Sequence, residues 1–339
     1  MMKTPLITVF KQIGILSRLN QLSITGNRRR LSDSGAGGVD HDIKSRFYEP
    51  EILTLLKKLT RPDLQKIFRK RKLGLRLEPP EYKFMTTEQL EQERKKADAR
   101  AAEKLQMPPV LPPRKEIDEV ISEDPNLAGF ERSNIVFTDI TFGKSDVNRL
   151  IVIRETNGRL RKANWDERFR MNQVYFPAEG RKMNPPSLFK QENMLRLCEE
   201  QRYEFLLDLA CIQFEPDDPE YLRITETVYD SIDEAQAYEL LRSTRHYGPL
   251  MFHLVTNRSI DNVLVENLQT DRLEDAVWAI SLYHLLHPES KSKSTELIPG
   301  EELQFIKSYI ETDSKKRGLL EMSLQTYLNT REVQVQRQQ

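Results

Sequence analysis

The chain reads as a mixed α+β protein, predominantly α-helical, with an extended N-terminal arm, a small antiparallel β element and a helical C-terminal region. Three observations predict this class. Apolar residues recur at helical spacing through most of the sequence after residue 190. A short region near 134–163 alternates instead, and places Thr156-Asn157-Gly158 between two β-type runs, a hairpin signal. Residues 45–115 carry helix formers and prolines but little apolar surface, which suits an arm better than a core.

The first 32 residues contain Lys3, Lys11, Arg18, Arg28, Arg29 and Arg30, and the first acidic residue is Asp33. Basic, hydroxylated and acid-free is the composition of a mitochondrial transit peptide. Residues 33–47 open with DSGAGGVDHDIK and read as a flexible linker. The arm is expected over 48–133. In it Ile52, Leu55, Leu56 and Leu59 form one helical stripe. Pro62 restarts the chain as a short helix with Leu64, Ile67 and Phe68 facing inward. Thr86 opens a long polar helix over 87–106, with Gln89 placed to complete a capping box. Pro108, Pro109, Pro112 and Pro113 then impose an extended run.

A globular domain is expected over 134–329. Ile135–Phe142 and Leu150–Ile153 read as strands, and the chain returns over Arg159–Ala163. Asn164 can cap a helix carrying Trp165 and Phe169, both assigned to the core by type. Residues 191–214 read as one central helix. Further helices are placed near 219–229, 232–243, 261–270, 273–287, 300–311 and 313–329, with 330–339 a disordered tail. Gly248-Pro249 reads as a helix end.

Charge and composition exclude several functions. The chain has 52 basic and 52 acidic residues. Without the six basic residues of the first 32, it holds 46 against 52, a balance of −6. A chain that coats nucleic acid unaided is strongly basic, so this one touches RNA through local patches or mainly touches proteins. No run reaches the roughly 18 apolar residues of a membrane span. No phosphate loop, dinucleotide fingerprint, nucleophile elbow or zinc-protease motif is present. Cys198 and Cys211 read as buried small residues, not a disulfide or zinc pair. His284 and His287 read as capping or packing residues. No catalytic residue, cofactor or metal is expected.

Basic residues do cluster. Lys66, Arg69, Lys70, Arg71 and Lys72 lie in an acid-free stretch from Leu64 to Leu77. From Arg149 to Lys182 nine basic residues accompany four acids, with Trp165, Phe169, Tyr175 and Phe176 interleaved. Of these Arg149, Arg159, Arg161, Lys162, Arg168, Arg170, Arg181 and Lys182 are the candidate contacts. Arg242 and Arg245 form a third group. Arginines neutralise phosphates and aromatics stack on exposed bases, so RNA or an acidic protein neighbour is the expected partner.

Several runs carry a resemblance. PPEYKFMTTEQLE (79–91), MPPVLPPR (107–114), LRKANWDERFRMNQVYFPAEGRK (160–182), QFEPDDPEY (213–221), LLRSTRHYG (240–248) and LYHLLHP (282–288) resemble the family of small-subunit protein twenty-two of the mitochondrial ribosome. The resemblance spans roughly 48–328. It implies a structural, non-catalytic protein of the small ribosomal subunit in the mitochondrial matrix, with other small-subunit proteins and ribosomal RNA as partners. No small-molecule substrate, membrane or second copy is expected. Two other readings stay open from the residues: a matrix RNA-processing enzyme, which needs a convergent acidic or histidine cluster, and a helical adaptor in another matrix complex.

Overall fold

The computed structural model describes residues 43–68, 82–294 and 297–338. The expected transit peptide and Arg69, Lys70, Arg71 and Lys72 lie outside these. Among the described residues the chain forms two compact units, one of residues 116–184 and one that joins the stretch before 116 to the stretch after 184.

Helix α1 (Pro50–Thr60) opens the helical unit. Pro50 sits in its first turn, where a missing N–H costs nothing, and Arg61 closes it in the left-handed region at φ 45°. The predicted stripe is real, and Ile52, Leu56 and Leu59 are completely buried. Phe47, just before it, meets Phe252 edge to face at 5.1 Å. The start of the expected arm therefore belongs to the core. Its apolar stripe spans only two turns, and only its docking site shows that it is covered. Helix α2 (Leu64–Phe68) departs from expectation: it buries no residue, and Leu64 is exposed. Helix α3 (Thr87–Lys104) starts on the predicted Thr86–Gln89 capping box and buries only Ala101. Met107 then fills the space beside Gly248, where a Cβ would lie 2.1 Å from the Met107 sulfur.

The second unit holds four strands: β1 (Val120–Glu123), β2 (Ile135–Thr138), β3 (Ile151–Arg154) and β4 (Arg159–Lys162). They form one antiparallel sheet in the order β1-β4-β3-β2. Strand β1 falls inside the expected arm. Four exposed residues give no alternation to read, and pairing with β4 creates the strand. The β3–β4 turn differs in detail from a two-residue Asn-Gly turn. Glu155 N–H donates to Arg159 O at 2.9 Å and Gly158 N–H to Glu155 O at 3.0 Å, closing a three-residue loop. Gly158 takes φ +86° and Asn157 does not take a positive φ. Its side-chain oxygen instead accepts from Arg159 N–H at 2.9 Å. Helix α4 (Trp165–Tyr175) begins on an Asn164–Glu167 capping box. Met171 packs on Ile151, Ile153 and Ala163, so α4 covers one face of the sheet. Trp165 and Phe169 are half-buried at its edge rather than central.

The remaining helices complete the first unit. They are α5 (Gln191–Glu199), α6 (Tyr203–Gln213), α7 (Pro219–Ala235), α8 (Tyr238–Leu241), α9 (Tyr247–Thr256), α10 (Asp261–Gln269), α11 (Leu273–Leu286), α12 (Glu302–Thr312) and α13 (Arg317–Gln338). The predicted 191–214 helix breaks where Gln201 takes φ 56°. Gly248 and Pro249 stand at the start of α9, not at a helix end, because a proline in the first turn forfeits no bond. Helix α13 continues to Gln338, through residues expected to be disordered, since no Gly or Pro after Gly318 interrupts its helix formers. α9 and α11 are apolar nearly all round, and α1 packs on both.

Candidate RNA- and partner-contacting surface

The sheet unit holds the densest cluster of candidate cations, and the structure sorts them by depth. Arg149 is buried. Its guanidinium donates to the carbonyls of Asp139 (2.9 Å), Thr141 (3.1 Å) and Lys144 (2.9 Å) and lies 3.7 Å from the centre of the Phe176 ring. Arg168 is buried too and donates to the carbonyls of Asp146, Val147 and Arg149 at 3.0, 2.8 and 2.7 Å. Burial pulls its pKa down, and the nearby Asp146 carboxylate offsets only part of that. These two arginines tie the 139–149 loop to the sheet and to α4. A loop with few apolar residues needs such donors for its carbonyls.

Arg161 links three elements. It donates to Glu155 at 2.7 Å and makes a forked contact with Glu167 at 2.8 and 2.9 Å. Hydrogen bonds from Arg161 hold both carboxyls below the ordinary carboxylate range. Glu167 also closes the α4 capping box, so one carboxylate serves the helix and the strand. Arg159 pairs with Glu123 at 3.5 Å and Lys162 with Glu119 at 2.6 Å. Both pairs are partly open to solvent. Arg170 and Lys182 are exposed and Arg181 is half-buried.

In the helical unit Arg242 is buried among carboxylates. It meets Asp275 at 2.7 Å, Glu266 at 2.9 Å and Glu239 at 3.3 Å, and its guanidinium lies 5.0 Å from the Tyr247 ring. Asp275 is completely buried and also receives Arg61 at 2.6 Å. Arg245 reaches Asp208 at 2.6 Å, and His246 shares that carboxylate at 2.8 Å. Burial pushes the Asp208 carboxyl up, but His246 and Arg245 outweigh it and hold the group below its ordinary value. Lys66 donates to the Glu239 carbonyl at 2.7 Å.

The fold thus gives Arg149, Arg168 and Arg242 internal partners, a correction to their reading as contacts. Arg161 and Arg245 are held largely within the chain as well. Residue type and density could not separate them, because an arginine beside several carbonyls looks the same in sequence as an arginine facing solvent. Sequence reading also passed over one pair. Arg154 on β3 lies over the ring of Phe137 on β2, 5.5 Å from its centre. Arg154 was only one of the nine cations, and the strand register alone brings the two together.

The other chemistry-bearing residues have structural partners. His287 Nε2 donates to the Val255 carbonyl at 2.8 Å, and His284 Nε2 meets Ser292 Oγ at 2.6 Å. Both cysteines are free thiols. Cys198 is buried and Cys211 half-buried, where it contacts the Tyr221 hydroxyl at 3.6 Å. Among the described residues no three His, Cys, Asp or Glu side chains are grouped to hold a metal, and no helix is long and apolar enough to cross a membrane.

Comparison with known proteins is specific. The small ribosomal subunit protein mS22 of Mus musculus is 41% identical over 301 residues, covering 88% of this chain and 83% of its own length. The protein of the same name from Bos taurus is 39% identical over 300 residues, again covering 88% and 83%. A family model matches residues 45–288, which take in α1, the whole sheet unit and the helices through α11. On this evidence the chain belongs to the family described as mitochondrial 28S ribosomal protein S22.

Proposed function

We propose that the chain is a structural, non-catalytic constituent of the small subunit of the mitochondrial ribosome, where it stabilises and helps assemble the subunit body during mitochondrial translation. Membership in the family across 88% of the chain carries this reading. Residues 1–32 act as the transit peptide and direct the chain to the matrix. Its partners are other small-subunit proteins and the ribosomal RNA.

Once the first 32 residues are removed the chain is acidic by 6 charges, and several of its most concentrated arginines are consumed inside the fold. Protein–protein contacts therefore exceed RNA contacts. The local basic contacts are Lys66, Arg159, Lys162, Arg170, Arg181 and Lys182, joined by Arg69, Lys70, Arg71 and Lys72. The chain enters the subunit as a single copy rather than as a homo-oligomer. The test is a sucrose gradient of mitochondrial lysate, run with and without RNase. The chain should sediment with the small subunit, and after RNase it should remain with a set of protein neighbours. Absence from the small-subunit fraction would overturn the reading, and release as a lone protein after RNase would overturn the preference for protein contacts.

A further inference from the structure

The four-stranded sheet has two unlike faces. Register and alternation place Val136, Ile153 and Arg161 on one side and Phe137 and Val152 on the other, with Ile135, Arg154 and Leu160 beside them. Helix α4 covers the first side through Met171 on Ile153 and Glu167 on Arg161. Among the described residues no helix covers the second side in this way: Phe137 is 44% exposed, and Ile135, Val152 and Leu160 are only half-buried.

Charge on the two faces is divided just as unevenly. Glu155 and Glu167, two of the four acids in the 149–182 segment, are both held by Arg161 on the covered side. Arg154, on the open side, pairs with no carboxylate among the described residues and rests on Phe137. Lys162 stands on the same side, paired at the margin with exposed Glu119.

We propose that this open sheet face, centred on Phe137 and Arg154, is a binding platform for single-stranded RNA. The inference rests on the proposed place of the chain in a ribonucleoprotein and names the partner of one surface of it. An exposed aromatic ring on a strand offers a stacking surface to any unpaired base, and an adjacent guanidinium offers a phosphate donor and a second planar surface. One nucleotide satisfies both groups. An apolar protein partner satisfies only the ring and leaves Arg154 desolvated without a counter-charge, which is costly. Duplex RNA keeps its bases stacked on each other and presents none to the ring.

The test uses the full chain and a fluorescently labelled mixed-sequence single-stranded RNA of about twelve nucleotides, the span of one small sheet platform. A duplex of the same sequence is the comparison. Wild type should prefer the single strand. Phe137→Ala should weaken single-strand binding about tenfold with little change for duplex, as loss of one stacked base predicts. Arg154→Ala should weaken it and flatten its salt dependence, and Arg154→Lys should restore the salt dependence but not the full affinity. Both side chains are partly open, so these variants should fold. Arg196→Ala, on the exposed side of α5 and outside the proposed basic contacts, should bind as wild type. Equal binding by wild type and Phe137→Ala would overturn the platform, as would an equal loss with Arg196→Ala. So would cross-linking of Phe137 in the intact small subunit to protein alone. If the chain sediments with the small subunit while Phe137→Ala binds as wild type, only this inference fails; if it does not sediment there, the proposed function fails first.

Discussion

Arg161 on β4 and Glu167 in the first turn of α4 are joined by two parallel hydrogen bonds, at 2.8 and 2.9 Å. The pair fastens the helix to the sheet at one end, while Met171 packs on Ile151 and Ile153 further along the same helix. The apolar core of this unit is small, so a polar clasp of this kind carries an unusual share of its stability. Arg161→Ala should destabilise the unit by about 1–2 kcal/mol, since it strips two carboxylates of a charge-assisted donor at once. Chemical denaturation followed by hydrogen exchange of the sheet amides would show the loss, and unchanged protection of β4 would refute it.

The same clasp makes the sheet unit sensitive to acid. Hydrogen bonds from Arg161 depress the folded pKa of Glu167 and of Glu155. A depressed carboxylate contributes stability that is present above its unfolded pKa and is lost as pH falls through the folded one. Stability should be level near neutral pH and decline below about pH 4. Arg161→Ala should flatten that decline, and an unaltered pH profile in the variant would count against the assignment.

Gly158 should not tolerate a side chain. It takes φ +86°, and a Cβ there would lie 2.1 Å from the Asp124 carbonyl oxygen. Gly158→Ala combines left-handed strain with a backbone clash, and should cost about 2–3 kcal/mol. Thermal melting of the variant beside Gly143→Ala provides the check. Gly143 has a positive φ but open space around its Cβ position, so it reports strain without the clash.

Helix α1 should behave as core. Leu56 is completely buried, and α1 packs on α9 and α11. Leu56→Ala should cost about 2–5 kcal/mol in global unfolding. A loss under 1 kcal/mol would mean that α1 docks weakly and behaves as the arm its sequence suggests.

Removing Arg242 should be more damaging than removing any solvent-facing cation. It would leave Asp275, completely buried, with Arg61 as its one remaining ion pair among the described residues. Arg242→Ala should cost about 3–5 kcal/mol, as breaking a buried pair does. Lys162→Ala should cost little, since its pair with Glu119 is solvent-exposed. Denaturant titrations of the two variants separate a structural cation from a surface one.

Much of this protein was legible in the residues alone. Capping boxes at Thr86–Gln89 and Asn164–Glu167, the stripe of Ile52, Leu56 and Leu59, and the mixed, mainly helical class follow from local hydrogen bonding and periodicity. These are contacts between near neighbours, and sequence records them directly. The family is carried by linear runs and needs no fold to be read. Tertiary structure decided the rest. It made β1 a strand by pairing it with β4, turned Gly248-Pro249 from an expected helix end into the start of α9, and drew α1 out of an expected arm into the core. It also divided the arginines. Arg149, Arg168 and Arg242 point at carbonyls and carboxylates that are 3 to 33 positions away, while Arg154 meets an aromatic ring on the neighbouring strand. Whether a cation is spent inside or left for a partner depends on what long-range packing places beside it, and residue type and spacing do not encode that.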